Sequence, residues 1–218
     1  MKQGNKIKLF IFDMDGVIFH EHNFWLDLHL DYKMPIETLL YYKKNKNLDY
    51  KGTFQFMVNK YWKGLSATKY FNLINQREYS IGIINFFNKL HRYNIQTAIV
   101  SSGPIHLAKR AQNDLGINFI FANEMVIKNN RFTGEVNLKV NDSKKTKIGY
   151  YLRRKLNLIP SNIAFVGDSD ADIGLAKYSK LSFAYNTKSQ GLIDSSDYTI
   201  ELGKIEEIST KYLQMNSE

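Results

Sequence analysis

Three short polar clusters in this chain each follow an apolar run. Asp13 and Asp15 stand two residues apart directly after "LFIF", Ser101, Ser102 and Gly103 follow "IQTAIV", and Asp168, Asp170 and Asp172 follow "IAFVG" or lie just past it. In extended backbone, residues two apart point to the same side, so Asp13 and Asp15 can both face one reacting group. Carboxylates gathered in one crevice repel one another and need a cation to stay ionised. The chain has no cysteine, so the donors are oxygens and a hard ion, Mg²⁺, suits them best. Opposite the metal, Ser101 and the N–H groups at a helix start can hold an anion. A lysine from "DSKKTKIG" can complete the cradle. Such a site suits a phosphoryl group, with one carboxylate free to attack it.

The elements that must position these groups alternate between strand and helix. Residues 7–12 and 95–100 read as strands buried on both faces, because their apolar runs are continuous. "NIAFVG", "KLSFAYN" and "DYTIEL" supply further strands, and "FIFANEMVIKNNRFTGEV" reads as a strand and hairpin turning at Asn129-Asn130. Pro104 suits the first turn of a helix that Gly116 ends, and Ser143 is placed to cap a basic helix reaching Leu156. Strand alternating with helix predicts an α/β parallel sheet with helices on both faces. Ligands of such sheets bind beyond the strands' carboxyl ends, where all three clusters fall. Each cluster alone could be a turn or a helix cap. Capping does not require all three to share one sheet edge.

Between the first strand and the rest, residues 18–79 read as an inserted helical cap, rich in apolar stripes such as Phe24, Trp25 and Leu28 or Phe54, Met57, Val58, Tyr61 and Trp62. The core would then be 1–17 plus 80–218.

"DMDGVI", "IVSSGP" and "VGDSDAD" resemble the first, second and fourth motifs of the haloacid dehalogenase-like superfamily, in the versions of its phosphatases. The hairpin stretch is similar to that of its phosphoserine phosphatase-like branch. The resemblance implies a Rossmann-like core with a small C1-type helical cap. It also implies a Mg²⁺-dependent phosphatase acting on a small phosphorylated metabolite through an aspartyl-phosphate. Carried onto this chain, Asp13 is the nucleophile and a metal ligand, and Asp15 the general acid and base, with its carbonyl a second ligand. Asp168 is a third ligand and Asp172 orients the metal's surroundings. Ser101, with the N–H groups of Ser102 and Gly103, and Lys145, with Lys144 as the alternative, hold phosphate. The branch's cap-entry glutamate aligns with His22, one residue after Glu21, and Met57 falls near the place of its cap arginine. These three are the candidate contacts to the leaving group. Ala171 stands where the family often has asparagine.

The 218 residues are 44% hydrophobic and 14% aromatic, enough for one good core plus a small cap. No apolar run approaches the roughly 20 residues of a membrane span, and the first one is broken by Asp13, so neither a membrane partner nor a secretory signal is expected. The missing cysteines are compatible with a reducing cytosol, and a cytoplasmic setting is the expectation. The net charge of +9 favours anionic partners but equally describes a lysine-rich surface. "KKTKIGYYLRRK" reads as a solvated face that supplies one lysine, so nucleic acid is disfavoured as a partner. "HEH" at 20–22 lacks further ligands at zinc-site spacing. Transfer of the phosphoryl group to another acceptor, or phosphate or nucleic-acid binding without catalysis, are the competing functions. Oligomeric state is not specified by the sequence.

Overall fold

A computed structural model describes residues 6–35 and 50–215; part of the expected cap, 36–49, lies outside the described residues. Seven strands form one sheet in the order β4-β3-β2-β1-β5-β6-β7. They are β1 Leu9–Phe12, β2 Gln96–Pro104, β3 Phe119–Lys128, β4 Arg131–Asn137, β5 Ile163–Gly167, β6 Leu181–Tyr185 and β7 Tyr198–Ile200. Every neighbouring pair is parallel except β3 with β4, the expected hairpin, where Asn129 and Asn130 take φ of 49° and 56°. Two left-handed residues match the twist of a tight hairpin, and asparagine tolerates them.

All four β1 residues are buried, and the pleat divides them. Phe10 and Phe12 face a cluster built from α4 (Ile83–Arg92), α5 (Ile105–Leu115) and α9 (Glu207–Met215). Leu9 and Ile11 face a second cluster with Leu152 of α6 (Asp142–Lys155), Leu175 of α7 (Ile173–Tyr178) and Leu192 of α8 (Gln190–Asp194). Helices thus cover both faces, which is why the strands read as unbroken apolar runs.

Among the described residues, the helices between β1 and α4 are α1 (Phe24–Asp31), α2 (Tyr50–Met57) continuing into a π-helical turn (Val58–Trp62), and α3 (Thr68–Gln76). The π turn was not expected from the spacing. Phe24, Leu28, Val58, Trp62, Tyr70 and Ile74 belong to the same buried cluster as Phe10 and Phe12. The chain leaves and re-enters the core side by side: His20 N–H donates to Glu78 O at 2.9 Å and Ser80 N–H to Ile18 O at 2.9 Å. Beside this crossing Arg77, 3% exposed, reaches Asp27 at 2.5 Å and Glu21 at 3.7 Å. A cation so deeply buried requires such partners.

Two local expectations change. β2 runs on through the polar SSGP stretch, and Pro104 pairs with Asn123 as the extended N-cap of α5 (φ −77°, ψ 139°) rather than its first helical residue. Proline suits a strand end that needs no N–H. α6 is capped by Asn141, not Ser143: Asn141 Oδ1 accepts from Lys144 N–H at 3.0 Å and from Ser143 Oγ at 3.0 Å. Both are good capping residues; asparagine, two positions earlier, wins. Gly116 ends α5 in the left-handed region, as expected.

Candidate active site

β1 and β5 are neighbours, so the acids that follow them meet. Asp13 N–H extends the ladder to Val166 O at 2.9 Å. Its carboxylate accepts from Met14 N–H at 2.8 Å on Oδ1 and from Lys145 Nζ at 2.9 Å on Oδ2. The same ammonium donates to Asp172 Oδ1 at 2.7 Å. Lys145 is 1% exposed and Asp172 wholly buried, whereas Lys144 points to solvent. Burial works against the lysine's charge, but Asp13 and Asp172 outweigh it and hold the ammonium form. Asp172 Oδ2 accepts from the N–H groups of Asp168 and Ser169 and from Ser169 Oγ, each at 3.1 Å. Both its oxygens are therefore engaged by protein groups. Asp172 ties α6 to the loop that carries Asp168.

Asp15 lies two residues past Asp13. Burial pushes its carboxyl up, and the Asp13 charge adds to this, to about 7; Arg77 and the Phe24 N–H pull the other way. Asp15 Oδ1 is buried without a hydrogen-bond partner. Burial likewise raises Asp168, and the His22 hydrogen bond opposes it. His22 Nδ1 lies 2.8 Å from Asp168 Oδ2. Gly16 makes this approach possible: its φ is +76°, and a Cβ there would collide with both Asp168 Oδ2 and His22 Nδ1.

On the β2 side, Ser101 is 2% exposed, and its Oγ accepts from Gly103 N–H at 3.1 Å. That N–H, expected to face an anion, is engaged here, which leaves the Ser101 hydroxyl proton free to point outward. Ser102 O accepts from Trp25 Nε1 at 2.9 Å and Asn123 Nδ2 at 3.1 Å, fixing the peptide. Gly103 approaches the acids closely: a Cβ would lie 2.5 Å from Met14 Cε and 3.0 Å from Asp15 Oδ2.

The cap candidates separate. His22 is spent on Asp168, and Glu21 faces Arg77 across 3.7 Å. Met57 is buried at the end of α2 and belongs to neither hydrophobic cluster. Sequence reasoning missed Arg77 and Asn123. Asn123 was detectable as a lone amide inside the apolar β3, where a buried amide must be satisfied; it also bonds Val140 O at 2.8 Å and Val140 N at 2.9 Å.

The donor set fits a divalent cation. Asp13, Asp168 and Asp172 each offer a carboxylate oxygen within 4.8 Å of the others, the one such grouping among the described residues. Four acids with Asp15 outnumber the single buried ammonium, an imbalance that a hard cation would relieve.

Residues 7–179 match the family model described as "haloacid dehalogenase-like hydrolase". This chain belongs to the haloacid dehalogenase-like hydrolases. Within that family its likeness is to phosphoserine phosphatases. It is 29% identical over 139 residues to the enzyme of Archaeoglobus fulgidus, covering 63% of this chain and 40% of that one. With the Saccharomyces cerevisiae enzyme it shares 25% over 185 residues, 83% of this chain and 60% of that one. These two matches therefore span well under the full length of either relative. The Campylobacter jejuni subsp. doylei enzyme is 28% identical over 204 residues, 93% and 98% of the two chains. A solved structure described as a phospho-aspartyl intermediate analogue of phosphoserine phosphatase superposes with a TM-score of 0.81 at 22% identity, over 94% of this chain and 99% of that one. The α/β Rossmann-like fold of this haloacid dehalogenase-like hydrolase is thus shared with that enzyme. No helix among the described residues is long and apolar enough to cross a membrane.

Proposed function

We propose that the chain is a Mg²⁺-dependent phosphatase of a small phosphorylated metabolite, working in the cytoplasm, with residues 18–79 as a helical cap over the crevice. The observation that carries this reading is the pairing of two unlike carboxylates on one turn. Asp13 is oriented by Met14 N–H and Lys145. Asp15 keeps a buried oxygen with no partner, as a group reserved for a ligand would.

Asp13 attacks phosphorus, the bond to the leaving oxygen breaks, and Asp15 gives that oxygen its proton. Asp15, now a carboxylate, then takes a proton from the water that opens the aspartyl-phosphate. Lys145 offsets charge on the phosphoryl oxygens, and the Ser101 hydroxyl donates to one of them. Asp13 and Asp168, whose oxygens keep free lone pairs, would hold Mg²⁺ with the Asp15 carbonyl, while Asp172 positions Lys145 and the Asp168 loop. The ion would supply charge neutralisation at the phosphoryl group.

The relatives' names put phosphoserine first among compounds to test. The experiment is phosphate release with Mg²⁺ across a panel of phosphorylated metabolites including phosphoserine. Asp15→Asn should slow turnover by about 10²–10⁴-fold, and Asp13→Asn should abolish it. Wild-type turnover by Asp13→Asn would end the nucleophile assignment.

A further inference from the structure

His22 stands where the chain leaves the core, and its backbone is anchored on both sides. His20 N–H donates to Glu78 O at 2.9 Å, Glu21 O accepts from Gly16 N–H at 2.8 Å, and Asn23 Oδ1 caps α1 by accepting from Leu26 N–H at 3.1 Å. Between these anchors the His22 side chain reaches back to the core, with Nδ1 2.8 Å from Asp168 Oδ2. A side chain at Gly16 would occupy the place where the two meet.

The main chain of Asp168 is held by Asp172, whose Oδ2 accepts from its N–H at 3.1 Å. Among the described residues, His22 is the one group that hydrogen-bonds the Asp168 carboxylate. A carboxylate on a fixed main chain still turns about its last bond, where the torsion is broad; a donor on one oxygen sets the direction of the other. An ionised carboxylate only accepts, so Nδ1 carries the proton in this pair. The pair lies in the wall of an open cavity of about 720 Å³, lined also by Asp170 and Glu201 against one lysine, Lys188. Such an excess of acid attracts cations, and an ion arriving from solvent on this side meets Asp168 beside His22.

We propose that His22 is a positioning residue for the metal: by holding Asp168 Oδ2 it aims the other oxygen of that carboxylate at the ion, and so ties metal affinity to the first residues of the insert. Partners of this kind, one step out from the ion, tune how tightly it is held. The inference rests on the phosphatase reading above, in which Asp168 is a metal ligand. It takes His22 away from the leaving group, where the family resemblance puts it.

Calorimetry of Mg²⁺ binding tests it, with the wild type, His22→Ala, His22→Asn and, as control, His20→Ala, an exposed neighbour. Hydrolysis of p-nitrophenyl phosphate against Mg²⁺ concentration gives a second readout. His22→Ala should raise the Kd for Mg²⁺ about 10–100-fold, the usual effect of losing such a partner, with the metal-free Tm little changed. Asparagine carries an amide nitrogen on Cγ, as histidine carries Nδ1, so His22→Asn should restore most of the affinity. The Mg²⁺ concentration for half-maximal rate should rise in step in His22→Ala, while KM for p-nitrophenyl phosphate and kcat at saturating Mg²⁺ stay near wild type. Should His22→Ala fail to fold, His22→Gln, whose amide lies one bond farther out, takes its place. An unchanged or lower Kd in His22→Ala, an asparagine variant as weak as the alanine one, or the same loss in His20→Ala would overturn the proposal. So would a raised KM at unchanged Kd, which returns His22 to the leaving group. If the wild type binds no Mg²⁺, the metal reading and this one fall together. Binding without hydrolysis ends the phosphatase reading, and calorimetry alone then decides this one.

Discussion

Lys145 and Asp172 form a buried ion pair, Nζ to Oδ1 at 2.7 Å, that joins α6 to the loop following β5. Asp172→Ala removes one member and leaves the ammonium with Asp13 alone, while the N–H groups of Asp168 and Ser169 lose their acceptor. Breaking a buried pair in this way costs about 3–5 kcal/mol. The expected outcome is a matching loss of stability in urea unfolding of the metal-free protein, together with loss of phosphate release. A change below about 1 kcal/mol, the level of an exposed pair, would show that the pair is not sealed from water.

Gly16→Ala should damage the site more than the fold. A left-handed φ costs a non-glycine residue about 1–2 kcal/mol, and the added methyl would push the Asp168 and His22 side chains apart. A displacement near 1 Å at a catalytic group costs about 10²-fold in rate. We expect a drop in kcat of that order with the chain still folded, checked by circular dichroism alongside turnover. Full activity with retained folding would show that the contact between His22 and Asp168 is dispensable.

Mg²⁺ should stabilise the folded chain through Asp13 and Asp168. At 100 times its Kd, a ligand bound only to the native state adds about 2.7 kcal/mol. For a chain of this size that corresponds to roughly 5–10 °C in Tm. Differential scanning calorimetry with and without Mg²⁺ measures it, and Asp168→Asn should remove most of the shift. An undiminished shift in that variant would place the ion elsewhere.

His106 on α5 supplies a pH dependence remote from the acids. Its Nδ1 lies 2.9 Å from Tyr70 Oη on α3. Burial lowers its pKa from 6.5, Lys109 on its own helix adds to this, and Glu124 on β3 opposes it. A folded pKa below the unfolded one means that its contribution to stability is complete above about pH 6.5 and is lost as pH falls through the folded value. His106→Gln should therefore flatten stability against pH below 6.5, measured by denaturant unfolding. An identical acid limb in the variant would rule the histidine out as its source.

Much of this molecule can be read from short stretches of sequence, because the deciding interactions there are local or periodic. β1 and β5 announce themselves as unbroken apolar runs since both sheet faces are covered. The left-handed Gly116 and the Asn129-Asn130 turn follow from backbone sterics alone. The positions of Asp13, Asp15 and Asp168 just past strand ends follow from the same runs, whereas Ser101 lies inside β2, which continues to Pro104. Where two local solutions were nearly equal, reading along the chain chose wrongly: Ser143 and Asn141 can both cap a helix, and Pro104 suits either a first turn or a strand end.

The amino-acid sequence by itself determined an α/β sheet with three polar clusters at one edge and a helical stretch after the first strand. Only the tertiary structure decided which groups touch. His22 and Asp168 are 146 residues apart in the chain, and Lys145 is 132 from Asp13 and 27 from Asp172. Among neighbouring lysines, only the one whose helical phase turns inward becomes buried. Arg77 ends among Asp27 and Glu21 because the segments entering and leaving the insert run side by side. Such contacts depend on chain crossing and strand order rather than on residue type, and no periodicity records them.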